Sequence, residues 1–293
     1  MSGSQILQYI ANGLANGCIY VLVAMGFNII FSSTGVINFA QGEFAMLGAF
    51  VMVTVVVTWG VPFIPAFLLV LVAAAIIGVI FERIAYRPLK EADGATFLAA
   101  TLAAAVLIRN IGLKIWGPYP VPFHQPFGMT MITWGGIRIR PQDLLIVGFI
   151  VVLAAALYYF FFRTRTGKIM RAMSQDRSTA QLLGVRVLAM GTLAFILASM
   201  LGATAGILVA PIYFVSLEMG FIMGLKAFVA TIIGGWGSLP GAIVGGLVVG
   251  LVETFGAVYI SSVYKDAFAF GLLIVFLIIR PQGIFGEKIA DKA

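Results

Sequence analysis

The sequence predicts an all-α polytopic membrane protein of about eight to ten transmembrane or broken helices. Three observations predict it. Of 293 residues, 61% are hydrophobic and 10% are charged, with a mean hydropathy of +1.09, whereas soluble domains carry about 25% charge. Residues 1–81 contain one charged side chain, Glu43. Apolar runs of about 20 residues, enough to cross a ~30 Å hydrocarbon core as helices, recur along the chain. Residues 1–293 therefore read as a single membrane domain with no room for a sizeable soluble one.

The elements follow in order. Residues 6–31 form the first apolar run, and residues 36–59 the second, entered through a polar, glycine-bearing stretch. Residues 63–81 are the third. Residues 95–116 are the fourth, with Arg109 and Lys114 marking its outer end. Residues 144–162 and 188–210, both without charge, are the fifth and sixth. Residues 221–234 are short and read as a partial or broken span; residues 242–260 are a full one, and residues 267–279 are again short. Glycine and proline interrupt the pattern where the count is open. Cys18 is the sole cysteine, so the chain forms no intrachain disulfide. The start has no basic n-region or A-x-A site, so no cleavable signal peptide is expected.

Lysine and arginine orient the chain. Residues 82–94 carry Arg83, Arg87 and Lys90; residues 163–187 carry Arg163, Arg165, Lys168, Arg171, Arg177 and Arg186. Two spans separate these segments, which puts both on one side, the cytoplasm by the positive-inside rule. Residues 117–143, rich in proline and glycine with only Arg138 and Arg140, belong outside, and the tail from Arg280 inside. The net charge of +7 thus reports topology, and nucleic-acid binding is not implied.

Residues 163–187 are a polar, basic block between two charge-free runs, which suits presentation to a partner outside the bilayer. Read as one helix over residues 167–183, the block places Ile169, Ala172, Met173, Ala180 and Leu183 on an apolar strip interrupted by Asp176, and Gly184 suits the stop. Pattern alone leaves two readings open, an amphipathic linker on the bilayer surface and a docking helix.

Two further segments stand out. Residues 32–49 place Asn38, Gln41 and Glu43 at membrane depth, where polar groups face a cavity, a neighbour or freed backbone. Either they tie down a kinked helix or they contact the translocated substrate. Residues 233–246 hold Gly235, Gly237 and Ser238 in a glycine-rich stretch suited to a sharp turn and close helix approach. Residues 42–49 and 235–242 both read G-x5-G-A, a hint of an internal repeat of the kind found in transporters. Glu218, Lys226 and Glu253 lie near or within the late spans, to pair with one another or to line a path. No span carries the opposite charges that would clamp both an ammonium and a carboxylate.

No enzyme chemistry is expected. His124 is the only histidine and reads as a surface residue. No cluster has metal-ligand spacing, and there is no phosphate-binding glycine loop followed by Lys-Ser/Thr. No catalytic residue, metal or cofactor is assigned, and ATP, if it drives the protein, binds another chain.

The segments INFAQGEF at residues 37–44, ERIAYRPLK at 82–90, GKIMRAMSQDRSTAQLLGV at 167–185, GFIMGLKAFVATIIGGWGSLPGAIVGG at 220–246 and YKDAFAFGLLIVFLIIRPQGIFG at 264–286 run through nearly the whole chain. In that order they resemble the permease subunits of bacterial branched-chain amino acid ABC importers of the LivH type. The resemblance implies an ABC importer permease fold in the bacterial inner membrane. It implies two related permeases, two ATP-binding subunits and a periplasmic amino-acid-binding protein as partners. It turns the basic block into a cytoplasmic coupling helix, with Gly167, Arg171, Ala172, Asp176, Ala180 and Gly184 in the segment that docks on the ATPase. It also places the regions around Asn38, Gln41 and Glu43, and around Gly235, Gly237 and Ser238, near the translocation path. Urea and short-amide permeases share much of the pattern and remain the alternative; an ion-coupled secondary transporter would need paired ionisable groups at mid-membrane. The expected passage is lined mainly by Gly, Ala, Val, Phe and Met, with selection left to the external binding protein.

Overall fold

The computed structural model describes residues 3–90, 92–123, 131–134 and 137–286. His124 lies outside the described residues. Among the described residues, seven helices are long and apolar enough to cross a membrane, a shorter apolar helix (Met219–Gly234) accompanies them, and a 15-residue helix follows (Lys265–Ile279). The nine are α1 (Gly3–Thr34), α2 (Gln41–Val53), α3 (Phe63–Phe81), α4 (Gly94–Trp116), α5 (Pro141–Arg163), α8 (Val187–Val209), α9 (Met219–Gly234), α10 (Leu239–Tyr259) and α11 (Lys265–Ile279). The basic block supplies α6 (Arg165–Gln175) and α7 (Arg177–Leu182). At 1.5 Å per residue, α9 and α11 reach only about 22–24 Å.

Hydropathy says which segments are helices, and small residues say where each helix sits. Over an 18-residue apolar window, 83% of the first span and 72% of α8 are buried inside the protein, against 22% for the spans of α3, α4 and α5. Lacking a hydrophobic force between helices, membrane proteins gain most from backbones that approach closely. Gly13 and Gly17 on α1 face Gly246 and Gly250 on α10, and a Cβ on Gly17 would lie 2.9 Å from the Gly246 carbonyl oxygen. Gly48, Gly202 and Gly206 bring α2 against α8 in the same way, and Gly78 seats α3 on α8. The outward face of α3, with Ile64, Leu68, Leu69, Val72, Ile76 and Ile80 exposed, is left for lipid.

Three sequence expectations are corrected. The second span begins at Gln41, not at residue 36, because residues 35–40 are not helical. The third span does not end at Phe81: it continues through a π-helical turn, Glu82–Tyr86, and a 3-10 turn, Arg87–Leu89. Glu82 and Tyr86 look like loop residues but are buried, Glu82 lying 3.6 Å from Arg87 and Tyr86 against Phe97 and Phe195. Within segment 117–143, β1 (Ile132–Trp134) and β2 (Ile137–Ile139) pair antiparallel, Thr133 opposite Arg138. Gln8 grips the hairpin by two 2.7 Å bonds to the backbone of Arg138. The two G-x5-G-A stretches also fold differently: residues 42–49 lie inside α2, whereas residues 235–242 straddle the turn between α9 and α10.

The ends of the bundle are distinct. The basic block, the end of α1, the α9–α10 turn and the segment after α11 meet at one end, where Phe285 and Ile284 donate backbone bonds to Gly234 and Ile233. At the other end Val121 and Val215 exchange bonds of 2.8 and 2.9 Å.

Candidate functional site

The site is built on the break between α1 and α2. Gly35, at φ +74°, ends α1 by donating to the Phe31 carbonyl at 2.8 Å. Its left-handed backbone is the conformation that glycine accepts without a Cβ penalty. The chain then runs without helical bonds to Ala40. Side chains take over the freed backbone groups: Asn38 Oδ1 accepts from Ala40 N at 3.1 Å, and Thr101 Oγ1 of α4 accepts from Phe39 N at 3.2 Å. Gln41 opens α2 and donates from Nε2 to the Ala198 carbonyl in α8 at 2.9 Å. Gly26 is a glycine because any Cβ there would enter the Gln41 amide.

Asn38, Gln41 and Glu43 are all buried, each side chain bonded to a different partner. Glu43 occupies the first turn of α2, where the helix dipole favours a carboxylate, and its Oε1 accepts from Arg109 Nη2 at 2.7 Å. This corrects the placing of Arg109: its guanidinium does not mark the end of a span but turns inward, 5.1 Å over the Phe221 ring. Four polar atoms of this cluster lack a hydrogen-bond partner: Asn38 Nδ2, Gln41 Oε1, Glu43 Oε2 and Arg109 Nε.

Gly235, Gly237 and Ser238 lie elsewhere, in the turn between α9 and α10. Gly235 and Gly237 have φ of +101° and +77°. Ser238 caps α10 by accepting from Gly241 N at 3.1 Å. Asn28 of α1 clamps the turn, accepting from Gly237 N at 2.8 Å and donating to the Ser238 carbonyl at 3.1 Å. A run of rings joins the two groups: Phe39 to Phe228 at 5.0 Å, Phe228 to Trp236 at 5.7 Å and Trp236 to Phe31 at 4.9 Å.

Below the turn opens a cavity of about 1160 Å³. Its wall includes Phe31, Ser32, Phe162, Trp236 and Phe285, and its charged lining consists of Arg171 and Arg177. Among the described lining residues no acid balances them.

The basic block is two helices, not one, because Asp176 is extended at φ −152°, ψ 105°. Its carboxylate caps α7, accepting from the Ser178 and Thr179 amides at 2.9 and 3.0 Å. The hydroxyl of Thr179 and these further bonds hold its carboxyl well below the usual range. The break resets the helix phase. Ile169, Met173 and Ala180 pack inward with Val187, whereas Ala172 is exposed and Leu183, expected on the apolar strip, is 81% exposed. Leu182 beside it is 87% exposed. Gly167 sits where a Cβ would enter the Phe160 carbonyl, and Gly184 stops α7 at φ +85°. Arg171 stacks on Phe162 at 4.4 Å and faces the cavity. Arg177, which sequence reasoning passed over, donates to the Thr34 carbonyl at 3.1 Å and to Tyr86 Oη at 2.8 Å. Asp176→Ala should raise amide exchange of Ser178 and Thr179 several-fold; unchanged exchange would mean that the cap does not hold the elbow. Because the folded carboxyl titrates below its ordinary range, the cap persists at neutral pH and is lost only as pH falls through that lowered value.

A second charged cluster takes one of the two alternatives left open for the late spans, pairing between Lys226 and Glu253. Lys226 of α9, 3% exposed, lies 2.6 Å from Glu253 of α10 and 2.7 Å from Asp266 of α11. Tyr20 of α1 donates to Glu253 at 2.6 Å. The pairing falls between helices, so no single run displays it. The group ties four helices together.

Residues 9–277 match the protein family described as branched-chain amino acid transport system / permease component. The chain is 34% identical over 303 residues to the high-affinity branched-chain amino acid transport system permease protein BraD of Pseudomonas aeruginosa, across 98% of this chain and 97% of that protein. It is 32% identical over 302 residues to the corresponding LivH of Salmonella typhimurium, with the same coverage. Among solved structures, PsaBC from Streptococcus pneumoniae in complex with Fab superposes with a TM-score of 0.52 at 14% identity, over 97% of this chain and 96% of that one. That likeness concerns the fold alone.

Proposed function

Since the chain belongs to the permease-component family of branched-chain amino acid transport systems, we propose that it is the membrane-spanning subunit of an ATP-driven importer. Its cargo on this reading is a branched-chain or other apolar amino acid, delivered by a periplasmic binding protein. A second related permease completes the passage, two separate ATP-binding subunits hydrolyse ATP, and the assembly sits in the inner membrane. The observation that carries the reading is the full-length family match combined with a basic elbow that presents two exposed leucines, Leu182 and Leu183, at the end of the bundle holding the cavity.

The geometry supports a coupling route. A partner seated on α7 covers the leucines. Arg177 then connects the elbow to the last carbonyl of α1, and the next six residues lead into α2 with Asn38, Gln41 and Glu43. Leu182 and Leu183 join the docking residues expected from the sequence, of which Ala172 is exposed on α6, and the segment divides the work. Leu182 and Leu183 supply contact area, Asp176 and Gly184 shape the elbow, Gly167 and Ala180 seat it on the bundle, and Arg171 faces the cavity.

The test is leucine uptake into vesicles carrying the permease with its partners. Leu182→Glu with Leu183→Glu should cut uptake about tenfold or more, as for desolvated contact residues at an interface, while membrane insertion stays normal. Uptake at the parental rate would remove α7 from coupling. ATP-dependent uptake of urea or acetamide in place of leucine would assign the chain to the amide permeases, and uptake by the chain alone would make it a secondary transporter.

A further inference from the structure

α3 shows what lipid-facing helix surface looks like in this protein, a run of Ile, Leu and Val. α4 differs at membrane depth. Arg109 and Asn110 lie seven and six residues before Trp116, about 10 Å inside the end of the helix at 1.5 Å per residue. Asn110 is exposed, and the Arg109 side chain keeps 27% of its surface. Beside them on α9, Phe221 is 43% and Ile222 41% exposed. A guanidinium in contact with hydrocarbon is costly and ordinarily snorkels to the interface. Arg109 instead turns inward to Glu43 at 2.7 Å. The face between α4 and the start of α9 therefore sets a partly exposed guanidinium and the Asn110 amide among exposed apolar side chains such as Val106, Leu107 and Ile111.

The ion pair is incomplete in a particular way. One oxygen of Glu43 and one nitrogen of Arg109 bind each other; Glu43 Oε2 and Arg109 Nε have no partner. Glu43 is 1% exposed, and a buried carboxylate oxygen left empty is expensive. Gly220, in the first turn of α9, stands directly before it: a Cβ there would lie 3.0 Å from Oε2. Any larger residue would cap the oxygen. The free acceptor and the free donor flank one ion pair, next to an exposed ring.

We propose that Glu43 and Arg109 form a way-station for the zwitterionic head of a translocated α-amino acid, with the ammonium on Glu43 Oε2, the carboxylate on Arg109 Nε and the apolar side chain against Phe221. The assignment deepens the importer reading and rests on it. The head group uses the free edges of both side chains and leaves their mutual bond in place, so four alternating charges satisfy one another. The empty station remains largely paired, which keeps binding weak. Weak binding suits a passage, because each ~1.4 kcal/mol of extra hold slows escape about tenfold. The chemistry selects for both a cation and an anion on adjacent atoms, a feature that urea and simple amides lack.

The experiment uses the complete transporter in proteoliposomes with leucine-loaded binding protein, and reads leucine imported per ATP hydrolysed. In Arg109→Gln and in the neutral pair Glu43→Gln/Arg109→Gln this ratio should fall about tenfold or more, the weight of lost charge-assisted bonds. Hydrolysis stimulated by the loaded binding protein is measured in the same vesicles, so that the ratio separates import from turnover. Arg109→Lys should recover part of the loss, since it restores a positive charge without the fork. A parental ratio in the neutral pair would overturn the proposal, because a station without charges cannot hold a zwitterion. Hydrolysis falling in step with uptake in every variant would also overturn it, by making the pair a structural tie. Failure of the importer reading shows in a different place, the parent protein: no ATP-dependent leucine import there, or import of urea instead, discards the station along with the reading.

Discussion

Lys226→Met should destabilise the folded permease by about 3–5 kcal/mol, the usual consequence of removing one partner from a buried ionic group. Among the described residues, the ammonium of Lys226 is the cation that pairs with both carboxylates, Glu253 and Asp266. Methionine fills similar volume and so isolates the charge effect from a cavity effect. Without the lysine, Glu253 keeps only the Tyr20 hydroxyl, at membrane depth and 7% exposed. Asp266 is 45% exposed in its side chain and turns to solvent at smaller cost. Thermal unfolding of the purified protein checks the expectation. Adding Glu253→Gln to Lys226→Met should recover part of the loss, since glutamine still accepts from Tyr20 and brings no charge. A parental melting temperature in Lys226→Met alone would show that the cluster does not hold α9, α10 and α11 to α1.

Gly250→Ala should be nearly as damaging, about 3 kcal/mol or more, although it adds a single methyl group. A Cβ at that position meets only backbone, the amide nitrogen and α-carbon of Gly17 and the carbonyl of Gly13. Backbone atoms in mid-helix have no alternative rotamer, so α1 and α10 must separate along their whole contact. In lipid, packing is most of what holds two helices together. Gly271→Ala on α11 is the matched control: nothing lies within 4 Å of its Cβ, and the gain in helix propensity is worth up to ~1 kcal/mol. The two alanines should therefore shift stability in opposite directions. A loss common to both would mean that any added side chain on these helices is harmful, and that the α1–α10 contact is not special.

The spans were readable because lipid demands long uninterrupted apolar runs, and α3 begins and ends its regular helix at residues 63 and 81 as the pattern indicates. What escaped the sequence depends on contacts between distant residues. Glu82 and Tyr86 look like a loop until Phe97, Phe195 and Arg177 are packed around Tyr86. Asp176 reads as a flaw in one amphipathic helix, and only its own capping bonds reveal the start of a second. The candidate site was half visible. Asn38, Gln41 and Glu43 announced themselves as polar groups in an apolar stretch, but Arg109 lies 66 positions from Glu43. A signal for it did exist. Glu43 is the one charge in the first 81 residues and needs a counter-charge at similar depth, and Arg109 is the cation that the fourth run carries furthest from its ends. The pairing of Lys226 with Glu253 was among the alternatives open in the sequence, whereas its second partner, Asp266 of α11, was not.

The bond from Arg177 to the Thr34 carbonyl has a mechanical consequence. It fastens the elbow to the final turn of α1, so those two bodies share one displacement. α2 is seated on α8 through Gly48 and Gly206, where backbone touches backbone, and it resists sliding. Compliance between the two bodies is therefore concentrated in residues 35–40, with about two soft dihedrals per residue and no helical ladder to stiffen them. A push of a few ångströms at the elbow arrives as torsion in that short strip, a torsion spring whose far end is the first turn of α2 and the carboxylate of Glu43.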